Sequence, residues 1–522
     1  MSKEFNTTGP CVPRKHYMVD ISDRVAWMRS MVEHGDYFCV NRARQYGKTT
    51  ALTALKRALV DDYVVVGLDF QALSHENFAT EGAFVSSFAS ALLDAEELGK
   101  LELPDEARDA LEGLADAGAP TLMGLFRVLR RWVRASERPV VLIVDEVDSA
   151  TNNQVFLDFL AQLRLSYLSR EEEQDYPAFK SVVLAGVTDI KHLKSKIRPD
   201  EVSKVNSPWN IAADFDVDMS FSAKDVAGML AAYEADHGTG MDIAAAADQI
   251  ADWTGGYPFL VSRLCQLVDV RGLAWDQNGI NEAVRLLLNE RNTLFESLVG
   301  KLRAYPQMCV ALHDLLMEGG RITYNPDQED IALLSMYGFV KEVGGSVQIS
   351  NRIFETRLYN LFLSDEELAG SRFHDAGDLG RNRFVRGGRL NMRAVLEGFR
   401  HTYDEVFGTL IDRFHEKDGR ELFLLYLKPI INGTGNYYIE AQTRDQTRTD
   451  VIVDYLGERF VVELKVWRGP RYNEEGEEQL RDYLEHFGLE VGYMLSFNFN
   501  KRKEPGLRRV VVGERVLWEE TV

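Results

Sequence analysis

Four cysteines are all that the 522 residues contain: Cys11, Cys39, Cys265 and Cys309. No two form a CxxC pair, and none has a histidine partner at metal-ligand spacing. That scarcity excludes a disulfide scaffold and a zinc finger or ribbon, and it reads as reduced thiols in a cytoplasmic chain. Long apolar runs are also missing. No stretch reaches the ~18 uninterrupted apolar residues of a membrane helix, so no membrane partner is expected. The opening MSKEFNTTGP holds no segment of signal-peptide kind. Basic charge is in deficit: 60 Lys and Arg against 81 Asp and Glu leave a net charge of -21. Such a balance excludes broad adhesion to nucleic acid and confines phosphate contacts to local patches. Two runs are candidates, KHLKSKIR at 191–198 and KRKEPGLRR at 501–509. Each is more simply read as a solvated face.

What is present is globular. A hydrophobic share of 45% and a charged share of 27% are those of a packed protein, and the length implies two to four domains. YFCV at 37–40, YVVVGLDF at 63–70, VVLIV at 140–144 and SVVLA at 181–185 are short, continuous apolar runs. Such runs suit parallel strands covered on both faces, and the helical stretches between them predict an α/β parallel sheet over 1–210. The pattern then turns helical, giving an expected helical lid over 211–299. FVKEV and SVQIS, separated by Gly344-Gly345, signal a hairpin after helices, hence a winged-helix-like domain over 300–364. It lacks a basic recognition helix, which favours a contact module over a DNA reader. The polar, Gly/Arg-rich 365–392 reads as a linker. A last α/β domain, 393–522, has predicted strands at 437–442, 450–455, 459–466 and 491–497.

The most informative stretch is Arg42-Ala43-Arg44-Gln45-Tyr46-Gly47-Lys48-Thr49, lying between a predicted strand and helix where a P-loop belongs. Backbone amides at the helix start would face phosphates, Lys48 would reach the β- and γ-phosphates, and the Thr49 hydroxyl would bind Mg2+. Gly47 permits close approach of the backbone, and Thr50 joins the set as the next hydroxyl. The full pattern wants Gly at position 42, where this chain has Arg. About 95 residues on, VVLIVDEVD has the form of a Walker B strand. Asp145 would hold the magnesium through water, and Glu146 would polarise an attacking water. The implied cofactors are ATP and Mg2+.

NRARQYGKTTAL, with LDFQ, VDEVD and TGGYPF behind it, resembles the AAA-like ATPases of the ASCE P-loop branch, whose P-loops read RxRQxGKT. Members commonly lack the first P-loop glycine, and some are fused to restriction-type nuclease domains. The resemblance implies that Thr188, after the fourth strand, contacts the γ-phosphate; a turn-capping residue is the plain alternative. It also implies a nucleotide-sensing role for Thr254-Gly255-Gly256-Tyr257-Pro258, which reads equally as a helix stop. Arg198 is better read as a surface arginine than as an arginine finger.

A second constellation is Asp450 in TRTDVIVDY with Glu463 and Lys465 in FVVELKVW. Residues two apart on a strand share a face, and a turn near Gly457 would bring Asp450 opposite Glu463 and Lys465. Asp454 would lie ~13 Å from Asp450 and is a poor ligand partner. Two carboxylates, Asp450 and Glu463, can hold a divalent metal, with Lys465 stabilising developing charge during phosphodiester hydrolysis. An ordinary salt-bridged strand face is the competing reading. YYIEAQTRDQTRTDVIVDYLGERFVVELKV resembles the core of a PD-(D/E)XK nuclease. The resemblance implies roles for Asp450, Glu463 and Lys465, for the helix-borne Glu421 and for Gln479. One departure is Thr447, where similar domains often carry Gly.

The expected function is therefore an ATP-binding and ATP-hydrolysing protein coupled to a metal-dependent nuclease-like domain acting on DNA or RNA, in a defence or mobile-element setting. The alternative is a nucleotide-switched interaction protein whose last domain recognises without cutting. Homo-oligomerisation is left open.

Overall fold

The computed structural model describes the chain from residue 3 except 174, 189, 191–208, 318–321, 363–371, 408–415, 432–434, 439–450, 468, 470–475, 479, 482, 486–487 and 501–502. It divides into two compact units. The first comprises Met1–Ala247, Gly256–Gln266 and Met336–Gly338; the second, Asp248–Gly255, Leu267–Ser335 and Phe339–Val522.

The first unit is built on four parallel strands: β1 (Tyr37–Asn41), β2 (Val64–Asp69), β3 (Val140–Asp145) and β4 (Ser181–Gly186). Every residue of β3 and β4 is buried, which is why those segments read as unbroken apolar runs. The sheet order is β1-β4-β3-β2. β4 thus separates the strand that feeds the P-loop from the strand that ends in Asp145. Helix α1 (Lys48–Leu59) leaves β1 and buries Ala51, Leu52, Leu55 and Leu59 at helical spacing on one face of the sheet. Helix α2 (Leu122–Ala135), capped by the Thr121 hydroxyl, buries Leu122, Leu125, Phe126, Leu129 and Trp132 in the core on the other face. Helices at Ala223–His237, Ile243–Thr254, Pro258–Val270 and Gln277–Leu288 occupy the stretch expected to be helical.

In the second unit, helices Thr293–Ala304, Pro306–Met317 and Glu329–Met336 precede a hairpin of β5 (Val340–Val343) and β6 (Ser346–Ile349). An isolated bridge from Thr323 to Ser346 adds a third extended segment. The order in this stretch is thus helix, helix, extended segment, helix, hairpin.

The stretch read as a linker is corrected in part. Residues 372–384 form helix α3 (Arg372–Phe384), followed by a short hairpin of Val385–Arg386 and Arg389–Leu390. Phe373, Phe384 and Leu390 are buried, and these three apolar anchors outweigh the polar composition around them. Helices α4 (Met392–Phe407) and α5 (Glu416–Ile431) follow.

The final sheet has six strands: β7 (Gly435–Tyr438), β8 (Val451–Tyr455), β9 (Glu458–Val466), β10 (Val491–Phe497), β11 (Gly506–Val512) and β12 (Arg515–Thr521). Their order is β7-β8-β9-β10-β12-β11. β9, β10 and β12 run parallel, while β7, β8 and β11 are antiparallel to their neighbours. The basic run at 501–509 therefore enters a strand. Arg508 pairs there with Glu519 and Glu477. The other basic run, 191–198 with Arg198, lies outside the described residues.

Candidate nucleotide site and C-terminal sheet face

The loop between β1 and α1 turns through two left-handed residues, Gln45 (φ 57°) and Gly47 (φ 81°). A Cβ on Gly47 would meet nothing within 4 Å, so glycine is needed there for its backbone angle and not for space. Arg42, at the position of the missing first glycine, turns its side chain out of the loop. Its guanidinium donates to the carbonyls of Asn41 (2.7 Å) and Val217 (2.6 Å) and lies over the Phe215 ring. The loop is therefore open to a side chain at position 42, because that side chain leaves it.

Lys48 is buried, and its ammonium donates to the carbonyls of Arg42 (2.9 Å) and Ala43 (3.1 Å). Burial pulls its pKa down, and the carboxylates of Glu146, Asp148 and Asp145 oppose that pull. The Thr49 hydroxyl donates to Asp145 Oδ2 at 2.9 Å, and the Glu146 amide donates to Asp145 Oδ1 at 2.9 Å. Glu146 itself sits at φ 52°, half-buried, with its carboxyl pushed up by burial and drawn back by Lys48. Backbone strain of this kind in a non-glycine residue at a strand end is concentrated at functional positions. Thr188 follows the central strand β4, and its amide donates to Asp148 Oδ1 at 2.7 Å. The Thr50 hydroxyl accepts from the Cys11 amide at 3.0 Å, holding the N-terminal segment.

Two participants, Asp148 and Gly338, escape the sequence reading, and a third, Tyr257, enters it only as part of the motif offered as a nucleotide sensor. Asp148 accepts from the amides of both Val187 and Thr188, tying the end of β3 to the end of β4. A Cβ on Gly186 would come within 3.2 Å of both Asp148 carboxylate oxygens, so glycine there leaves that carboxylate its room. The recurrence of Asp in VDEVD was the available signal. Tyr257, from the TGGYP motif, donates its hydroxyl to the Arg44 carbonyl and packs edge-on against Tyr46 with ring centroids 4.6 Å apart. Gly338, at φ 79°, sits against the loop so closely that a Cβ would lie 2.8 Å from that of Ala43. Nothing local in the sequence marks that contact.

The hard oxygen donors at the end of β3 and the start of α1 fit a magnesium ion. Thr49 and Asp145 already share one hydrogen bond, and a lysine ammonium stands beside them.

In the C-terminal sheet, Glu463 is fully buried on β9 and Lys465 Nζ lies 3.1 Å from its Oε1, so the two share a face. Asp450, Thr447 and Gln479 lie outside the described residues. Val451, which follows Asp450, pairs with Val462, which precedes Glu463. Asp454 is held by Arg459 Nε at 3.1 Å, and Glu421 is half-buried on α5. The register adds a residue the sequence did not disclose: Glu463 is level with Met494, and Met494 with Glu519. Glu519 is buried, accepts from the Ser496 hydroxyl at 2.6 Å and is ion-paired to Arg508. Among the described residues, no group of three or more His, Cys, Asp or Glu is arranged to hold a metal ion.

The strand order, the left-handed Gly47 and the Lys48–Thr49–Asp145 grouping define a P-loop ATPase with an inserted strand between its two Walker strands. The chain belongs to the AAA-like domain family, whose model matches residues 15–364, and residues 436–510 match the PD-(D/E)XK nuclease superfamily. An uncharacterized WD repeat-containing protein of Synechocystis sp. is 22% identical over 359 residues, 64% of this chain and 28% of its own length. This chain therefore spans little more than a quarter of that relative. Among solved structures, a Walker-type ATPase of Pyrococcus abyssi matches 68% of this chain and 99% of its own, at 13% identity and a TM-score of 0.48. The ADP form of the Aeropyrum pernix ORC2 protein matches 70% and 98%, at 11% identity and a TM-score of 0.33. Both overlays are too loose to bear on activity. No described helix is long and apolar enough to cross a membrane.

Proposed function

We propose that the protein binds and hydrolyses ATP with Mg2+ at the loop of residues 42–49, and that this cycle controls metal-dependent phosphodiester cleavage of DNA or RNA by the C-terminal domain. The observation that carries the first half is the Thr49–Asp145 hydrogen bond beside the buried Lys48 ammonium. Asp145 and Thr49 hold the metal, Lys48 neutralises the β- and γ-phosphates, and Glu146 accepts the proton of the attacking water. Thr188, at the end of the intervening strand, is suited to sense the γ-phosphate.

The C-terminal half rests on Glu463 and Lys465 sharing one face of a mixed sheet, with Asp450 as the second carboxylate. A bound divalent ion supplies Lewis-acid activation of water and phosphate. Glu463 contributes a hard ligand and Lys465 stabilises charge on the phosphate. The supporting test is ATPase and nuclease assays on one purified sample, with Mg2+ or Mn2+ and with DNA and RNA. Cleavage by wild type that disappears in Asp450→Ala and Lys465→Ala, with ATP turnover retained, is the expected result. ATP turnover without cleavage of any DNA or RNA would leave a nucleotide-switched binder in place of a nuclease.

A further inference from the structure

The apolar face of α2 is spent inside the core, and the opposite face carries Arg127, Arg130, Arg131 and Arg134. Their i, i+3, i+4, i+7 spacing puts all four on one side of the helix. Arg127, Arg131 and Arg134 are exposed and Arg130 is partly so. Other arginines of this acidic chain are tied down: Arg24 to Asp225, Arg29 to Glu33 and Asp62, Arg108 to Glu96 and Asp105, Arg400 to Glu520. None of the four on α2 makes an ion pair or hydrogen bond among the described residues. They line one wall of a surface groove whose other wall includes Glu173, Asp175, Tyr176 and Pro177. Those two carboxylates form no ion pair with them. Four guanidinium groups held within two helical turns repel one another; Glu173 and Asp175 across the groove offset part of that charge, and the face keeps an excess of two positive charges.

We propose that this face of α2 binds the phosphate backbone of a nucleic acid strand, independently of base sequence. Seven residues of helix extend the row over about 10 Å, longer than one phosphate group and enough for about three successive phosphates of a strand. All four cations are arginine, whose planar fork pairs with phosphate oxygens two at a time. Tyr176 in the opposite wall supplies a ring against which a base or sugar can pack. A lipid surface fits less well, because the helix has no apolar face left to insert. Met123 is its one large apolar residue left exposed. The inference does not require the C-terminal domain to cut. It assigns nucleic-acid binding to the ATPase unit itself.

The test is fluorescence anisotropy of the full chain with a labelled 30-base-pair DNA duplex and a labelled single-stranded RNA, across a salt series. Wild type is compared in EDTA with Arg127→Ala/Arg130→Ala/Arg131→Ala/Arg134→Ala and with the matching four-lysine variant. The four-alanine variant is expected to bind at least tenfold more weakly to one or both probes. Its slope of log affinity against log salt on DNA is expected to fall by about 2.7, near 0.9 for each of about three phosphates no longer neutralised. The lysine variant keeps most of the slope, and the absence of divalent metal keeps the metal-dependent C-terminal site out of the comparison. An intact ATP-induced thermal shift in the four-alanine variant shows that the unit is folded. An unchanged slope in the four-alanine variant overturns the proposal. So does wild type that binds neither probe at 50 mM salt, or a patch whose loss abolishes binding to phosphatidylserine vesicles or polyglutamate while nucleic-acid binding stays intact.

Discussion

The Thr49 hydroxyl donates to the Asp145 carboxylate at 2.9 Å, although 96 residues separate them in sequence. Each sits at the end of a different structural element: Thr49 on the first turn of α1, Asp145 on the last residue of β3. They meet because the parallel sheet brings its strand ends and the helix start to one edge, where ligands of open α/β sheets bind. The predicted consequence is that ATP with Mg2+ raises the melting temperature of wild type. At a concentration of 100 times Kd, the stabilisation is about 2.7 kcal/mol. Lys48→Ala and Asp145→Ala are expected to lose that shift while keeping a cooperative transition without nucleotide. Equal shifts in both variants and wild type would falsify the assignment.

Glu146 separates binding from turnover. As a general base it works only when ionised, and burial raises its pKa above the ordinary carboxylate range against the pull of Lys48. Turnover is therefore expected to climb with pH along an acid limb displaced upward from that of a solvent-exposed glutamate. Glu146→Gln should keep the ATP-induced thermal shift and lower kcat by about 10^2 to 10^4. A glutamine variant that turns over ATP at the wild-type rate would mean that another group activates the water.

Arg42 makes the opposite separation. Its side chain serves the fold, through the carbonyls of Asn41 and Val217 and the face of Phe215, and its backbone alone belongs to the loop. Arg42→Gly restores the usual glycine of a P-loop, yet it removes three charge-assisted hydrogen bonds, to the carbonyls of Asn41, Phe215 and Val217. It is expected to destabilise the apo protein by about 1–3 kcal/mol while leaving ATP affinity within a few-fold of wild type. A denaturant titration and a nucleotide titration of the same variant decide this. A large loss of affinity with unchanged stability would show that the guanidinium reaches the nucleotide.

Much of the first unit was legible in the sequence because its signals are contiguous. A P-loop is a run of residues between one strand and one helix, and β3 announces itself by an unbroken apolar run ending in Asp145. The parts that escaped depend on contacts between distant segments. The repeated Asp of VDEVD marks Asp148 but not the two amides some forty residues away from which it accepts, and Gly338 gives no hint that it will lie against Ala43. In the C-terminal unit, Glu463 and Lys465 were readable from strand periodicity. β11 and β12 were not, because GLRRVVV and RVLWEET mix charges into strands on which Arg508, Glu519 and Glu520 find buried or paired positions only once the sheet has formed. The Gly- and Arg-rich composition of 365–392 hid Phe373 and Phe384, which share one helix face but have only Gly377 and Gly380 between them on it, so no apolar stripe is visible.

Glu520 on β12 supplies a test of the C-terminal fold that needs no substrate. Its carboxyl is fully buried, and Arg400 Nε reaches it at 2.6 Å. Burial nevertheless prevails over the arginine and raises its pKa from 4.5 to about 7. The sign follows directly. Between those values the unfolded chain has released the proton and the folded chain still holds it, so stability from this group falls as pH rises through that window and stays low above it. Glu520→Gln, which cannot ionise, is expected to gain on wild type as pH increases from 5 to 8, by roughly 2–3 kcal/mol at most. Urea midpoints of both proteins at the two pH values measure the difference. If the gap between variant and wild type is the same at pH 5 and pH 8, then the Arg400 contact holds Glu520 ionised throughout, and desolvation is not the larger effect.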